Sequence, residues 1–198
     1  GCVICGPLRL GDKTLPRIHK AGYPYVALSR LDGFPESSHA TVDYVEAARL
    51  SVEFLAKRGH KRIAMLKAFT GYQPGLERRQ GYLAGHEEAG LVPDELLMRR
   101  TSFASTDIAN AVHRLLLDHR VTALIDASGA EDAASLRRGA LRAGRTPGKD
   151  FELVAWTYTH NAAVLSEAAA HVWLPVREAA AEGFGLFAEW FREEREGP

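Results

Sequence analysis

The sequence has no excess of charge of either sign. Its 198 residues include 25 Lys and Arg against 25 Asp and Glu. A surface that binds nucleic acid by itself needs a surplus of Lys and Arg to neutralise phosphates, so the composition argues against such a surface in this chain. A hydrophobic content of 46% is typical of a folded globular protein that buries a sizeable core.

Cysteine is scarce, since only Cys2 and Cys5 are present. The pair has C-x-x-C spacing, but no second pair exists to complete a four-ligand zinc site, and the eight histidines show no metal-ligand spacing. On a strand the two thiols point to opposite faces. We therefore expect two small buried thiols, no metal and a cytoplasmic compartment.

Long apolar runs are also missing. No stretch approaches the roughly 18–20 residues that a membrane helix requires, and no signal peptide is visible. The chain opens on "GCVICGP", which is typical of a strand already inside a fold. We expect a fragment trimmed at both ends, with no membrane partner.

The common catalytic signatures are absent as well. The sequence contains no P-loop, no G-x-S-x-G elbow and no H-E-x-x-H. Residues 183–188, "GFGLFA", match G-x-G-x-x-A, but they lie inside a helical pattern and do not follow a strand. We therefore expect neither an enzyme nor a cofactor.

Short apolar segments alternate with amphipathic helical segments along the whole chain. Strands are predicted at 2–6, 24–29, 62–66, near 96–103, 121–128, 151–156 and 171–176, with helices between them. This alternation indicates βαβ units, a parallel sheet and right-handed crossovers. The predicted fold class is α/β, and such sheets bind ligands at the carboxyl ends of their strands.

The helix predicted over 42–59 has clear signals at both ends. Asp43 and Glu46 form a D-x-x-E pair that resembles a capping box. Lys57 and Arg58 occupy the last turn, where cations complement the helix dipole, and Gly59 ends the helix. The basic segment is therefore a helix ending that leads into the strand at 62–66.

Six residues near strand ends or first helical turns are candidates for ligand binding: Asp43, Arg78, Phe103, Ser128, Trp156 and Thr157. The planar guanidinium of Arg78 is suited to grip hydroxyls or a carboxylate, although its position alone favours a solvated surface arginine. For Asp43 the position favours capping of its helix, and Phe103 either stacks on a ligand ring or closes the core.

Several spaced motifs resemble those of the lactose-repressor (LacI/GalR) family of transcription regulators. "KRGHKRIAML", residues 57–66, is similar to the family's hL-x-x-x-GH-x-x-I-a-x-l signature. The preceding "VDYVEAARLSVEFL" and the following "LERRQGYLAGHEEAGL" resemble the flanking helices, with R-x-x-G in the second. "VTALIDAS…ALRAGRTPGKDFELVAW" and "HVWLPV" resemble later family segments in the right order, so the match covers nearly the whole chain.

The resemblance implies two periplasmic-binding-protein-like lobes with an effector cleft between them. Residues 1–42 would be the remainder of an incomplete amino-terminal lobe, 43–170 the carboxy-terminal lobe, and 171–198 the return segment. Arg78 matches the family's effector-contacting arginine, and Asp43 matches the aspartate at the lobe crossover. Phe103 matches the aromatic residue that packs on a sugar ring.

The sequence departs from the family at two acidic positions. Ser128-Gly129 replaces Asn-Asp, and Ala155-Trp156-Thr157-Tyr158 replaces G-[FY]-D-D. Hydroxyl side chains cannot reproduce the two-oxygen geometry with which a carboxylate accepts bonds from adjacent sugar hydroxyls. Losing these carboxylates beside a retained Arg78 predicts a more cation-like site. We hypothesise an anionic effector, such as a sugar acid or phosphate; the rival is a degenerate cleft that binds nothing tightly.

The family resemblance implies the effector-sensing and dimerisation domain of a DNA-binding repressor. A small-molecule effector would change the angle between the lobes, and a homodimer would hold two helix-turn-helix domains, absent from this chain, on operator DNA. The alternative is a free-standing periplasmic-type solute-binding protein with the same fold. The G-H-x-x-I-a motif and the lack of a visible secretion signal favour the regulator.

Overall fold

The chain divides into two α/β units. The computed structural model describes residues 1–6, 8–31, 33–66, 71–101, 104–129, 132–158 and 165–196. The first unit consists of Gly1–Asp43, Gly71–Pro74 and Pro175–Pro198, and the second of Tyr44–Thr70 and Gly75–Leu174. Each unit contains one parallel sheet, so the predicted α/β class is confirmed.

Strands and helices alternate through the described residues. The strands are β1 (Cys2–Ile4), β2 (Tyr25–Ala27), β3 (Ile63–Leu66), β4 (Met98–Arg99), β5 (Ala123–Asp126), β6 (Glu152–Thr157) and β7 (Ala170–Trp173). The helices are α1 (Thr14–Lys20), α2 (Tyr44–Lys57), α3 (Gln73–Glu88), α4 (Ser105–Leu117), α5 (Ala133–Arg142) and α6 (Val176–Glu196). A short 3₁₀ turn, Glu95–Leu97, precedes β4.

The first unit is built on a two-stranded parallel sheet of β1 and β2. Leu15, Ala27 and Leu31 form its small buried cluster. β1 is short and pairs only with β2 among the described strands. Cys5 follows the end of β1 and is exposed, while Cys2 is half-buried. The expectation of two buried thiols is therefore wrong.

The second unit contains a five-stranded parallel sheet in the order β4-β3-β5-β6-β7. The chain moves outward from β3 to β4, then returns to the other side of β3 and continues through β5, β6 and β7. The direction of winding therefore changes between β3 and β5. In open parallel sheets, the crevice at the carboxyl ends of the strands beside such a switch point is where ligands bind.

Helices cover both faces of this sheet. On one face, α4 and α5 supply Ile108, Val112 and Leu136 to the core that contains Leu124 and Leu153. On the other face, α2 and α3 pack on the sheet, and the Tyr82 hydroxyl of α3 donates to the carbonyl oxygen of Ile63 at 2.7 Å. All four residues of β3 and of β5 are buried, as expected for a sheet covered on both faces.

Two glycines allow α3 to approach α2 closely. A Cβ at Gly81 would lie 2.0 Å from the carbonyl oxygen of Val45, and one at Gly85 would lie 2.8 Å from the Cβ of Val52. Real Cβ atoms do not approach neighbours this closely, so the two backbones could not keep their separation with alanine at either place. The glycine of R-x-x-G therefore sets the depth at which α3, and with it Arg78, lies on the sheet.

The basic segment after α2, residues 57–62, links α2 to the amino-terminal ends of strands in the same sheet. Arg58 donates two hydrogen bonds of 2.6 Å to the carboxylate of Glu152, the first residue of β6. His60 Nδ1 lies 3.0 Å from Thr122 Oγ1, just before β5. Gly59 has a φ of +92°, which ends the helix as predicted. The G-H signature thus has a structural role at the edge opposite the carboxyl ends of the strands.

One predicted strand is much shorter than expected. The segment near 96–103 was predicted as a strand, but Glu95–Leu97 forms the 3₁₀ turn and β4 has only two residues. The Asp94 carboxylate accepts a hydrogen bond from the backbone N–H of Leu96 at 3.0 Å, which stabilises the turn over extended backbone. Across the described residues, no helix is both long enough and apolar enough to span a bilayer.

We predict that Gly81→Ala destabilises the second unit by about 2–3 kcal/mol, because the methyl group forces α3 away from α2. Urea unfolding followed by circular dichroism measures the change. Gly185→Ala is the matched control, since Gly185 also lies inside a helix but has no atom within 4 Å of an added Cβ. The control should be neutral or stabilise by up to about 1 kcal/mol. Equal effects in the two variants would contradict the packing argument.

Candidate effector site

Buried polar side chains gather at the carboxyl edge of the five-stranded sheet. They are Glu77 and Arg78 in the first turns of α3, which follows β3, Asp126 and Ser128 at the end of β5, and Thr157 at the end of β6. Each is at most 7% exposed. Burial of polar groups is costly unless they are paired, so such a concentration beside the switch point marks this edge as the candidate site.

Arg78 lies over two aromatic rings of the second unit. Its guanidinium carbon is 4.8 Å from the ring centroid of Tyr44 and 5.6 Å from that of Trp156. The two rings are nearly parallel, with centroids 6.3 Å apart. Arg78 is only 7% exposed, so it is not a solvated surface arginine. A desolvated cation over an aromatic face gains on the order of 2 kcal/mol, which holds the guanidinium in place.

Trp156 is fixed from the opposite side by α2. Its indole N–H donates to Ser51 Oγ at 3.0 Å, and Ser51 Oγ in turn donates to the carbonyl oxygen of Ala47 at 2.7 Å. The side chain is fully buried. Trp156 therefore contributes to the site through Arg78, and it offers no surface of its own to a ligand in this conformation.

The phenol of Tyr44 is influenced by charges of both signs. Burial raises the pKa of Tyr44 to about 12, and Tyr158 and the Glu77 carboxylate act in the same direction, whereas Arg78 lowers it. Tyr44 therefore stays protonated at neutral pH and can donate a hydrogen bond. The two acidic positions of the family motifs are absent as predicted from the sequence, but Glu77, which adjoins Arg78 in α3, is a further buried carboxylate that acts on the Tyr44 phenol.

A second carboxyl group lies at the same edge but on the other face of the sheet. Asp126 pairs in register with Ala155, so the two side chains lie on the same face of the sheet, the one covered by α4 and α5. Trp156, the next residue after Ala155, points to the opposite face, which α2 and α3 cover. Asp126 Oδ1 accepts a hydrogen bond from the backbone N–H of Ser128 at 3.0 Å. The carboxylate thus shapes the turn that places Ser128 and Gly129 beyond the strand.

Comparison with known protein families identifies the chain. The family of periplasmic binding proteins and sugar binding domain of LacI family matches residues 1–175. The chain belongs to this family.

Curated relatives and solved structures agree with this membership. The HTH-type transcriptional regulator CelR of Thermobifida fusca is 35% identical over 151 residues, which are 73% of this chain and 44% of that protein. The HTH-type transcriptional regulator RafR of Escherichia coli is 31% identical over 142 residues, 70% of this chain and 41% of that protein. The chain therefore spans less than half the length of these relatives.

A solved structure described as a transcriptional regulator CelR–cellobiose complex is also similar to this chain. It superposes with a TM-score of 0.83 and 26% sequence identity, covering 100% of this chain and 61% of that one. The likeness extends over both sheets of the LacI-family chain. It supports the periplasmic-binding-protein-like fold that the motifs predicted.

The structure brings together four of the six predicted ligand-binding residues of this LacI-family chain. Arg78, Ser128, Trp156 and Thr157 all lie at the carboxyl edge of one sheet. Asp43 directly precedes α2 and is exposed, at the position where a side chain caps the helix. Phe103 lies outside the described residues, so its stacking role stays a prediction.

Sequence reasoning missed Tyr44, Glu77, Asp126 and Tyr158. Tyr44 begins the helix that Asp43 precedes, and Glu77 adjoins Arg78. Both missed residues are therefore direct neighbours of residues that the sequence predicted for the site. Asp126 lies inside an otherwise apolar strand, and a charged residue in a fully buried segment is itself a signal. Within the part of the chain that the structure describes, no group of three or more His, Cys, Asp or Glu residues could hold a metal ion.

We predict that Trp156→Phe destabilises the protein by about 1–3 kcal/mol, because it removes the bond to Ser51 and leaves a space beneath Arg78. Trp173→Phe, at a side chain that is 40% exposed, should change stability by less than about 0.5 kcal/mol. Urea unfolding of the two variants gives the comparison. A neutral effect at Trp156 would show that the indole does not support the site.

Proposed function

We propose that this chain is the effector-sensing and dimerisation region of a LacI-type transcription regulator, and that a neutral sugar binds at the carboxyl edge of its five-stranded sheet. Arg78 carries the proposal. Its guanidinium is buried over two aromatic rings at the switch point, and a guanidinium fixed in this way presents planar N–H donors to sugar hydroxyls at low entropic cost.

The charge of the site favours a neutral ligand over an anion. Glu77 and Arg78 are adjacent buried residues of opposite formal charge, and both act on the pKa of the Tyr44 phenol. A sugar offers hydroxyls that donate as well as accept, so it can bind a carboxylate and a guanidinium together. An anionic sugar acid would gain from Arg78 but be repelled by Glu77.

The regulator is favoured over a free-standing solute-binding protein by the curated relatives, which are named as transcriptional regulators. The CelR structure that resembles this chain contains cellobiose, which supports a sugar as the effector class. The complete reading frame upstream of Gly1 separates the two candidates. A helix-turn-helix segment there supports the regulator, and a secretory signal peptide supports transport.

Control of transcription further requires that the sugar bind two conformations of the complete protein with different affinities. A dimer would then convert that difference into a change in the placement of two DNA-reading domains. Such a regulator would act in the cytoplasm. Dimerisation and operator DNA are inferred from family membership.

We predict that isothermal titration detects binding of cellobiose or glucose, and that gluconate binds more weakly than glucose. Arg78→Met should lower the affinity for the bound sugar by at least about tenfold, because it removes several charge-assisted hydrogen bonds. Arg79→Met is the control. Arg79 is the next residue of the same helix, but its side chain is 40% exposed and pairs with Glu95.

Three results would contradict this proposal. The first is the absence of binding for all three compounds. The second is tighter binding of gluconate than of glucose, which would favour the hypothesis of an anionic effector. The third is sugar binding that is equally strong in Arg78→Met and in the Arg79→Met control.

A further inference from the structure

Gly129 and Tyr158 follow neighbouring strands of the five-stranded sheet. Gly129 lies three residues beyond the end of β5, and Tyr158 directly follows β6. The two strands are parallel and paired in register, so their carboxyl ends meet at the edge that holds Arg78. These two residues stand where the LacI-family motifs quoted above have acidic side chains.

The ring of Tyr158 lies directly over the α-carbon of Gly129. A Cβ at Gly129 would be 2.1 Å from Cε2, 2.5 Å from Cδ2 and 2.9 Å from Cζ of that ring. All three distances are shorter than any real Cβ contact. The ring can therefore take this place only because residue 129 has no side chain, and the φ of +77° at Gly129 favours glycine independently.

Tyr158 also faces the group that holds Arg78. Its phenol is near enough to Tyr44 to raise the pKa of that residue. Among the influences on the pKa of Tyr44, that of Tyr158 is second only to burial. Arg78 lies over the ring of the same Tyr44 at 4.8 Å. Tyr158, Tyr44 and Arg78 thus form one continuous group at this edge.

Tyr158 and Trp156 differ in what they offer to a ligand. Trp156 is fully buried and its N–H is bonded to Ser51. Tyr158 is half-buried and therefore less enclosed than Trp156. Ligand sites commonly combine an apolar aromatic wall with a few fixed polar groups, and here Arg78 supplies the polar group.

We propose that the ring of Tyr158, held over Gly129, is a specificity-determining wall of the effector site that packs against the apolar face of a sugar ring. This inference rests on the proposed sugar-binding function. The two departures from the family motifs, glycine at position 129 and tyrosine at position 158, then depend on each other. An acidic side chain at position 129 would occupy the space that the ring of Tyr158 fills. The site exchanges carboxylate contacts at these positions for an aromatic surface.

Four variants and one control test the proposal by isothermal titration with cellobiose and glucose. The variants are Tyr158→Ala, Tyr158→Phe, Gly129→Ala and the Gly129→Ala/Tyr158→Ala pair. Gly144→Ala is the matched control, because Gly144 also has a positive φ, +66°, in the same unit but no atom within 4 Å of an added Cβ. Circular dichroism and thermal unfolding verify that each variant folds.

We expect Tyr158→Ala to weaken binding of the bound sugar by about tenfold, and Tyr158→Phe to retain affinity within about twofold, because the ring is kept. Gly129→Ala should weaken binding to a similar extent by displacing the ring. In the Tyr158→Ala background, Gly129→Ala should have no further effect on affinity, since the ring that it displaces is already gone. Gly144→Ala should bind sugar like the wild type.

The proposal is overturned if Tyr158→Ala binds the sugar within about twofold of wild type, or if Gly129→Ala adds its full effect in the Tyr158→Ala background. Should Gly129→Ala not fold, the contrast between Tyr158→Ala and Tyr158→Phe decides. A wild-type protein that binds neither sugar refutes the proposed function, and this inference with it. Normal wild-type binding with indifferent Tyr158 variants refutes this inference alone.

Discussion

The arrangement of the site depends on the attraction between the Arg78 guanidinium and the faces of Tyr44 and Trp156. The three residues come from three different elements, α3, α2 and β6, so the contact links the helical layer to the sheet. Burial removes much of the hydration of a cation, which is costly. The aromatic faces offset part of that cost and orient the planar donors, which suits Arg78 to the binding role proposed for it.

The rest of the second unit supports this contact. Gly81 lets α3 lie close against α2, and Ser51 fixes the indole of Trp156 from below. At the opposite edge of the sheet, Arg58 and His60 on either side of Gly59 bond to Glu152 and Thr122. The proposed neutral sugar fits the opposite formal charges of Glu77 and Arg78, both of which are buried at this edge.

The sequence predicted the class of the fold well, and the details of the site only in part. The alternation of strands and helices could be predicted because it follows from the periodicity of buried residues, and it indicates a parallel sheet. The turn at Glu95–Leu97 could not, because it depends on one local hydrogen bond to Asp94 that leaves no periodic pattern in the sequence. The burial of Arg78 could not be predicted, since an arginine in a first helical turn has the same pattern whether solvated or held by aromatic rings. The contact of Tyr158 with Gly129 joins residues 29 positions apart through a side-chain conformation, so no local pattern indicates it. The role of Phe103 and the assignment of the two units to family lobes stay predictions.

A double-mutant cycle between Tyr44 and Arg78 tests the central interaction most directly. Urea unfolding of wild type, Tyr44→Leu, Arg78→Met and the double variant gives the coupling free energy, with Tyr44→Phe as the variant that retains the ring. A coupling of about 1–2 kcal/mol that persists in the Tyr44→Phe background is predicted for a desolvated cation over an aromatic face. Additive effects, with a coupling below about 0.3 kcal/mol, would show that the ring does not hold the guanidinium.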